Sequence, residues 1–273
     1  MTRKLIDKAL LALCVFLLVS PAIGFFLWML SLAFKNEVDN LAYPPVFIPS
    51  PPTLDNFRKV FDSGPFFQYF LNSITVSGLA TLVALLIGVP AGYGIARLKA
   101  KKLLLTILIA RMTPAISFLI PLFSLFQALG LTGTLAPVVI THLVITVPIM
   151  VYIVAGYFET LPMELDEAGL MDGCSPWQRF RHIALPLARP GITVAAILAF
   201  IFSWNNFIFG AVLAGRETRT LPVAIYNVLT FEQIAWGPLA AAAILVTLPV
   251  LVLTLVIQKE IVGGLTAGGV KGG

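Results

Sequence analysis

The run LAPVVITHLVITVPIMVYIVAGYF, Leu135–Phe158, decides the fold class. It carries no Asp, Glu, Lys or Arg. At about 1.5 Å per residue a helix of that length crosses roughly 30 Å of hydrocarbon. Five more stretches are long and apolar, one of them broken by a single Arg: Leu10–Phe34, Tyr69–Ala96, Leu103–Leu129, Ile192–Leu213 and Leu239–Ile257. Inside lipid the backbone must satisfy its own hydrogen bonds, so each is expected to be helical. Period-two alternation is absent, which argues against a membrane barrel. The expected fold is all-α, a polytopic membrane protein with about six transmembrane helices.

Composition agrees. The chain is 59% hydrophobic and 11% charged, whereas a soluble domain is about half apolar and a quarter charged. Arg3, Lys4 and Lys8 precede an apolar run longer than the core of a signal peptide, so the N-terminus reads as a retained signal anchor. The net charge of +5 raises nucleic acid as a partner. The placement of the cations gives a different cause. Twelve Lys and Arg fall on one side of the spans, including Arg97, Lys99, Lys101, Lys102, Arg179, Arg181 and Arg189; five fall on the other. The richer side is expected to be cytoplasmic, with both termini there. The lipid bilayer is then the expected partner, and nucleic acid is not.

Pro90, Pro114, Pro121, Pro148 and Pro249 lie within spans. Kinks around a passage and ordinary membrane-helix proline both remain open for each. Residues 35–65 are rich in proline and expected outside, as a cap, a partner contact or a plain connector. Cys14 and Cys174 are far apart and have no metal-ligand neighbours, so they read as structural thiols.

Arg111 is the one ionisable group clearly inside a span apart from a lone histidine. It reads as an interhelical anchor or a contact in the solute path. No carboxylate lies well within a span, which counts against a proton- or sodium-coupled carrier. Trp204, Asn205 and Asn206 interrupt the fifth span. Amides with an aromatic face suit sugar binding, and amides also join membrane helices; both readings stand. No Gly-x-x-x-x-Gly-Lys-Ser/Thr run, catalytic triad or metal cluster is visible, and His142 and His182 read as structural. An enzyme is not expected.

The loop Glu159–Pro190 reads as helix, stop, helix. Thr160 is expected to cap the first helix, with Pro162 in its first turn. Gly173 suits a left-handed stop. Ser175, Pro176 and Gln178 form a capping box with a proline start. Leu185-Pro186, followed by Pro190, is expected to end the second helix. Such a pair either docks into a partner's groove or lies on its own membrane domain; local physics leaves both open.

Glu167-Ala168-Gly169, then Gly173, then Ile183-x-Leu185-Pro186 resembles the EAA loop of binding-protein-dependent ABC importer permeases. Gly169 stands where the pattern has a second Ala. Asn72-Ser73, Tyr93–Arg97, Arg111-Met112, Pro114, Pro121, Gly130-Leu131, Thr134 and the stretch Leu265–Gly272 look like the carbohydrate (maltose-permease G-like) branch. Trp204-Asn205-Asn206-Phe207 resembles a Trp-Asn-Glu-Phe pattern, with Asn206 in the Glu place. The resemblance implies the type I ABC importer transmembrane fold. It also implies a sugar or sugar-like solute, with a polyol, a glycerol phosphodiester or a sugar acid as alternatives. Implied partners are a second permease subunit, an ATPase dimer and an extracytoplasmic solute-binding protein. ATP and Mg belong to the ATPase, with no cofactor in this chain. The implied home is the bacterial cytoplasmic (inner) membrane. Glu167, Ala168, Gly169, Asp172, Gly173, Ile183, Leu185 and Pro186 would couple to the ATPase, and Thr266, Gly268 and Lys271 would reach it from the tail. The expected divisions are 1–66 (anchor helix and external segment), 67–258 (core, with loop 159–190) and 259–273 (tail).

Overall fold

The computed structural model describes residues 2–226 and 235–269. Among these there is no strand. The helices are α1 (Thr2–Ala33), α2 (Glu37–Asn40), α3 (Asp55–Asp62), α4 (Phe66–Arg97), α5 (Lys101–Arg111), α6 (Ala115–Ala128), α7 (Ala136–Thr160), α8 (Met163–Met171), α9 (Pro176–Leu187), α10 (Arg189–Trp204), α11 (Ile208–Leu213), α12 (Leu221–Tyr226) and α13 (Trp236–Gly269). Four stretches are long and apolar enough to cross a membrane: Leu10–Ala33, Phe66–Arg97, Ala136–Thr160 and Trp236–Leu255. Two bent pairs, α5 with α6 at 80° and α9 with α10 at 78°, raise the number to six if each is one span.

The expected third span is therefore broken at Met112–Pro114. The residue before proline avoids helical geometry, and Pro114 itself is extended, with ψ 131. Pro90, Pro121, Pro148 and Pro249 lie within continuous helices. The expected fifth span, Ile192–Leu213, is not one helix. α10 stops at Trp204, and α11 restarts where Asn206 Oδ1 accepts the Phe209 amide at 3.2 Å.

The chain divides into two compact units. The first holds residues 1–66 and 225–248. A helix end in or near lipid leaves carbonyls that need donors. At the end of α1 they have them. Asn56, buried, donates from Nδ2 to the Ala33 carbonyl at 2.9 Å and the Lys35 carbonyl at 2.7 Å. The Thr53 amide donates to Phe34 O at 2.8 Å. Glu37 accepts the Trp236 and Gly237 amides at 2.8 and 3.0 Å, placing a carboxylate on the positive end of α13. Lys35 is buried, with Nζ on the Val46 carbonyl and over the Trp28 ring. Burial lowers its pKa, and the Asp39 carboxylate opposes that shift.

The second unit holds residues 67–224 and 249–273. Its frame is a seam of small residues. Ala80, Ala84, Gly88, Gly92 and Ala96 recur every fourth position along α4, and all are buried. Spacing of four aligns them on one helix face. Small residues let membrane helices approach backbone to backbone. A Cβ on Gly88 would lie 2.6 Å from Met150 Cγ, and one on Gly92 would lie 3.0 Å from the Ala155 nitrogen, so α4 and α7 touch where no side chain fits. α7 meets α10 in the same way: a Cβ on Gly191 would lie 2.3 Å from Tyr157 Cγ. His142 Nδ1 and Ser203 Oγ join these two helices at 2.7 Å, both buried. Asn72 donates to the carbonyls of Glu217 and Arg219 at 2.8 and 2.9 Å, and Ser73 Oγ accepts the Leu221 amide at 2.8 Å, so the start of α4 holds the loop before α12.

Candidate functional site

α7 runs through Thr160, so Thr160 ends that helix instead of capping the next. Leu161 and Pro162 are extended, and Pro162, without a side-chain cap, precedes α8. The chain turns here because proline holds the residue before it out of helical geometry. At the far end of α8, Gly173 has φ +78. The Cys174 amide donates to Gly169 O at 2.9 Å and the Gly173 amide to Leu170 O at 3.0 Å. Those two bonds make a Schellman stop, which needs a residue at ease with positive φ. The capping box is present too: Gln178 N donates to Ser175 Oγ at 3.3 Å and Ser175 N to Gln178 Oε1 at 2.7 Å. α9 passes through a π-helical stretch, Arg179–Ala184, and continues to Leu187. Leu185-Pro186 does not end it: the chain stays helical through Leu187. The bend comes at Ala188.

The two helices close on each other through Gly169 and Ile183. A Cβ on Gly169 would lie 2.6 Å from Ile183 Cδ1 and 3.2 Å from Arg179 Cγ. The Ile183 side chain occupies the room that the second Ala of the family pattern would use. Phe180 is buried against Tyr93, ring centroids 5.1 Å apart, and Trp177 leans on Phe180 at 5.3 Å. Thus Phe180 and Ile183 point inward. Glu164, Leu165, Glu167, Ala168, Leu170, Met171, Asp172 and Trp177 are exposed, as are Gly173 and Pro186; Leu185 is half-buried.

What holds α8 to the membrane helices is a group outside the expected set. Asp166 is buried and forms an ion pair with Arg97, the last residue of α4. Tyr93 donates its hydroxyl to Asp166 Oδ1 at 3.0 Å. Arg97 also donates to the Phe158 carbonyl at 3.4 Å and lies over the Tyr93 ring. A buried carboxylate needs such partners, since desolvating it alone costs several kcal/mol. The signal in the sequence was the match of a cationic α4 terminus to an acid in the first turn of α8. From the sequence, Arg97 reads as a topology marker and as the end of the Tyr93–Arg97 stretch, and Asp166 has no assigned role.

The candidate pathway residues lie at helix breaks. Arg111 ends α5, exposed, with its guanidinium over the Phe202 ring at 5.6 Å. Trp204 is buried, stacked on Phe200 at 5.7 Å and edge-on to Phe70 at 6.0 Å. Asn205 is exposed and Asn206 half-buried. A further set was not foreseen: Thr113, Ser117, Ser124 and Gln127, on and just before α6, are exposed, at spacings that keep them close to one face. Thr266 and Gly268 fall in the last turns of α13, and Lys271 lies outside the described residues.

Residues 84–262, which include this loop, match the family model of the binding-protein-dependent transport system inner membrane component. The chain belongs to this family. It is 37% identical over 252 residues to the trehalose transport system permease protein SugB of Mycobacterium tuberculosis, covering 90% of this chain and 91% of that one. It is 33% identical over 279 residues to the trehalose/maltose transport system permease protein MalG of Thermococcus litoralis, covering all of both. The crystal structure of a bacterial ABC transporter involved in import of the acidic polysaccharide alginate has a chain of the same fold, with a TM-score of 0.70 at 20% identity over 94% of this chain and 96% of that one. The protein is thus an ABC importer permease with the type I transmembrane fold.

Proposed function

We propose that this permease forms half of the passage for a sugar or sugar-like solute, and that α8 docks on a separate ATPase whose nucleotide cycle drives it. The observation that carries this is the two-sidedness of α8. Asp166 ties it inward to α4, while Glu164, Glu167, Leu170 and Met171 face outward without cover. A lever needs one fixed side and one free side. Exposed carboxylates fit a basic cleft, and exposed Leu170 and Met171 fit an apolar one. ATP and Mg act on the ATPase. Both termini and this loop lie in the cytoplasm of a bacterium on this reading, which the bias of Lys and Arg supports.

A second permease chain completes the passage. The polar face Ser117, Ser124 and Gln127, with Thr113 just before it, shares α6 with exposed Ile116 and Ile120. Hydroxyls and amides along a membrane helix serve a wet passage, and the apolar residues beside them serve a facing helix. Hydroxyl and amide groups also match the hydrogen bonding of a polyhydroxylated solute. Trehalose and maltose stand in the names of the two relatives. A solute-binding protein outside the membrane delivers the cargo. A sugar acid has its own supporting observation, the exposed guanidinium of Arg111 at the break in the third span.

The test is co-expression with the neighbouring permease, ATPase and binding-protein genes, followed by reconstitution into liposomes. ATP-dependent uptake of a labelled disaccharide, competed by other sugars, supports the proposal. Uptake that ignores sugars but follows a charged polyol or phosphodiester moves the solute class, and uptake without ATP removes the ATPase reading.

A further inference from the structure

We propose that residues 41–48, in the proline-rich segment after α1, lie in the lipid interface and anchor this end of α1 against hydrocarbon, not against a protein partner.

Four observations carry it. The first is depth. The segment folds back along α1: Ser31 Oγ donates to the Phe47 carbonyl at 2.5 Å, Lys35 Nζ donates to the Val46 carbonyl at 2.5 Å, and the Phe47 ring lies 5.6 Å from that of Trp28. Trp28 is more than one turn back from Ala33, roughly 7 Å along a helix axis, and it belongs to the apolar span Leu10–Ala33. Phe47 therefore sits beside the span, not beyond it.

The second is composition. From Leu41 to Leu54 there is no charged residue. Tyr43 is 96% exposed, Phe47 69% and Ile48 80%. An apolar surface of this kind facing water would be a liability for a monomeric protein.

The third is backbone chemistry. Lipid offers no partners for amides. Pro44, Pro45, Pro49, Pro51 and Pro52 carry no N–H at all. The carbonyls of Val46 and Phe47 are taken up by Lys35 and Ser31. Lys35, just past the end of α1, is buried with its ammonium turned to the Val46 carbonyl and the Trp28 face. A segment built for water would not need its donors removed.

The fourth is continuity. The neighbouring surface of α1 is exposed and apolar, with Phe25, Leu27 and Leu30. Trp28 also lines a cavity of about 480 Å³ with Phe25, Met29, Leu32, Leu239 and Ala243, apolar apart from Asn40. Hydrocarbon chains fit both the surface and the cavity. Tyr and Trp are the residues that favour a membrane boundary, with one end apolar and one end wet.

The proposed orientation makes this the extracytoplasmic leaflet, but depth can be read whichever face it is. Cys14 and Cys174 are replaced by Ser, and single cysteines are introduced as Phe47→Cys, Ile48→Cys and, for reference, Asp62→Cys. Each is spin-labelled in the full complex in liposomes. Accessibility to oxygen and to a water-soluble nickel chelate is then measured. The expected result at 47 and 48 is high oxygen access with nickel access several-fold below that at 62. Nickel access equal to that at 62 means water and overturns the proposal. Low access to both reagents means a protein cover and overturns it in favour of a docked subunit.

Discussion

Asp166, in the first turn of α8, is paired with Arg97, the final residue of α4, and the pair is shut away from water: the two side chains are 4% and 14% exposed. α8, whose outer face is exposed, is thereby bolted to the end of a membrane span. Removing one partner of such a pair leaves a buried charge uncompensated, a loss of about 3–5 kcal/mol. Asp166→Ala should lower the thermal stability of the purified complex by an amount of that order. The double variant Arg97→Met with Asp166→Leu should recover most of it, since apolar replacement of both partners is close to neutral. Recovery by the double variant failing, while each single variant is harmless, would remove the bolt.

Glu167 should behave oppositely. It is exposed. Glu167→Lys should leave yield and melting temperature unchanged while abolishing co-purification of the ATPase and ATP-dependent uptake. Unaltered uptake would count against a docking role for this face.

Gly191 and Gly156 make a matched pair. A Cβ at Gly191 meets the Tyr157 ring and its Cβ at 2.3 to 2.8 Å, while a Cβ at Gly156 meets nothing within 4 Å. Gly191→Ala should destabilise the protein by about 1–3 kcal/mol through overpacking. Gly156→Ala should be neutral or stabilising by up to about 1 kcal/mol, from helix propensity. Thermal unfolding in detergent compares the two.

Asn205 and Trp204 separate solute contact from packing. Trp204→Ala removes a buried ring from between Phe200 and Phe70 and should cost about 3–5 kcal/mol, as the burial of its side chain requires. Asn205→Ala, at an exposed break, should leave stability alone and weaken uptake affinity. Wild-type affinity and solute choice in Asn205→Ala would move the solute path elsewhere, with Ser117 and Gln127 next to be changed.

Periodicity and length made the spans legible, because hydrocarbon thickness is a hard constraint on apolar runs. Local chemistry made Gly173 and the Ser175–Gln178 box legible, because a positive φ and a reciprocal cap are decided within a few residues. The interruption at Trp204–Asn206 was legible too, whereas the bend falls at Ala188 and not at Leu185-Pro186 as expected. Thr160 was misassigned because a hydroxyl before a proline looks like a cap when the preceding helix has no marked end. Asp166 and Arg97 lie far apart in the chain, and each alone looks like an ordinary surface charge; only the fold brings them together. The seam from Ala80 to Ala96 was in plain view, but its spacing matters only once α7 is known to lie on it.

That seam also limits how the sequence can change. With Gly88 against Met150 and Gly92 against the Ala155 backbone, α4 and α7 are keyed like a rack and pinion with no play. One residue inserted between Gly92 and Arg97 would turn Arg97 by about 100° about the helix axis and away from Asp166. Gly88 and Gly92 admit no larger residue, and insertions and deletions between the seam and Arg97 are excluded as well.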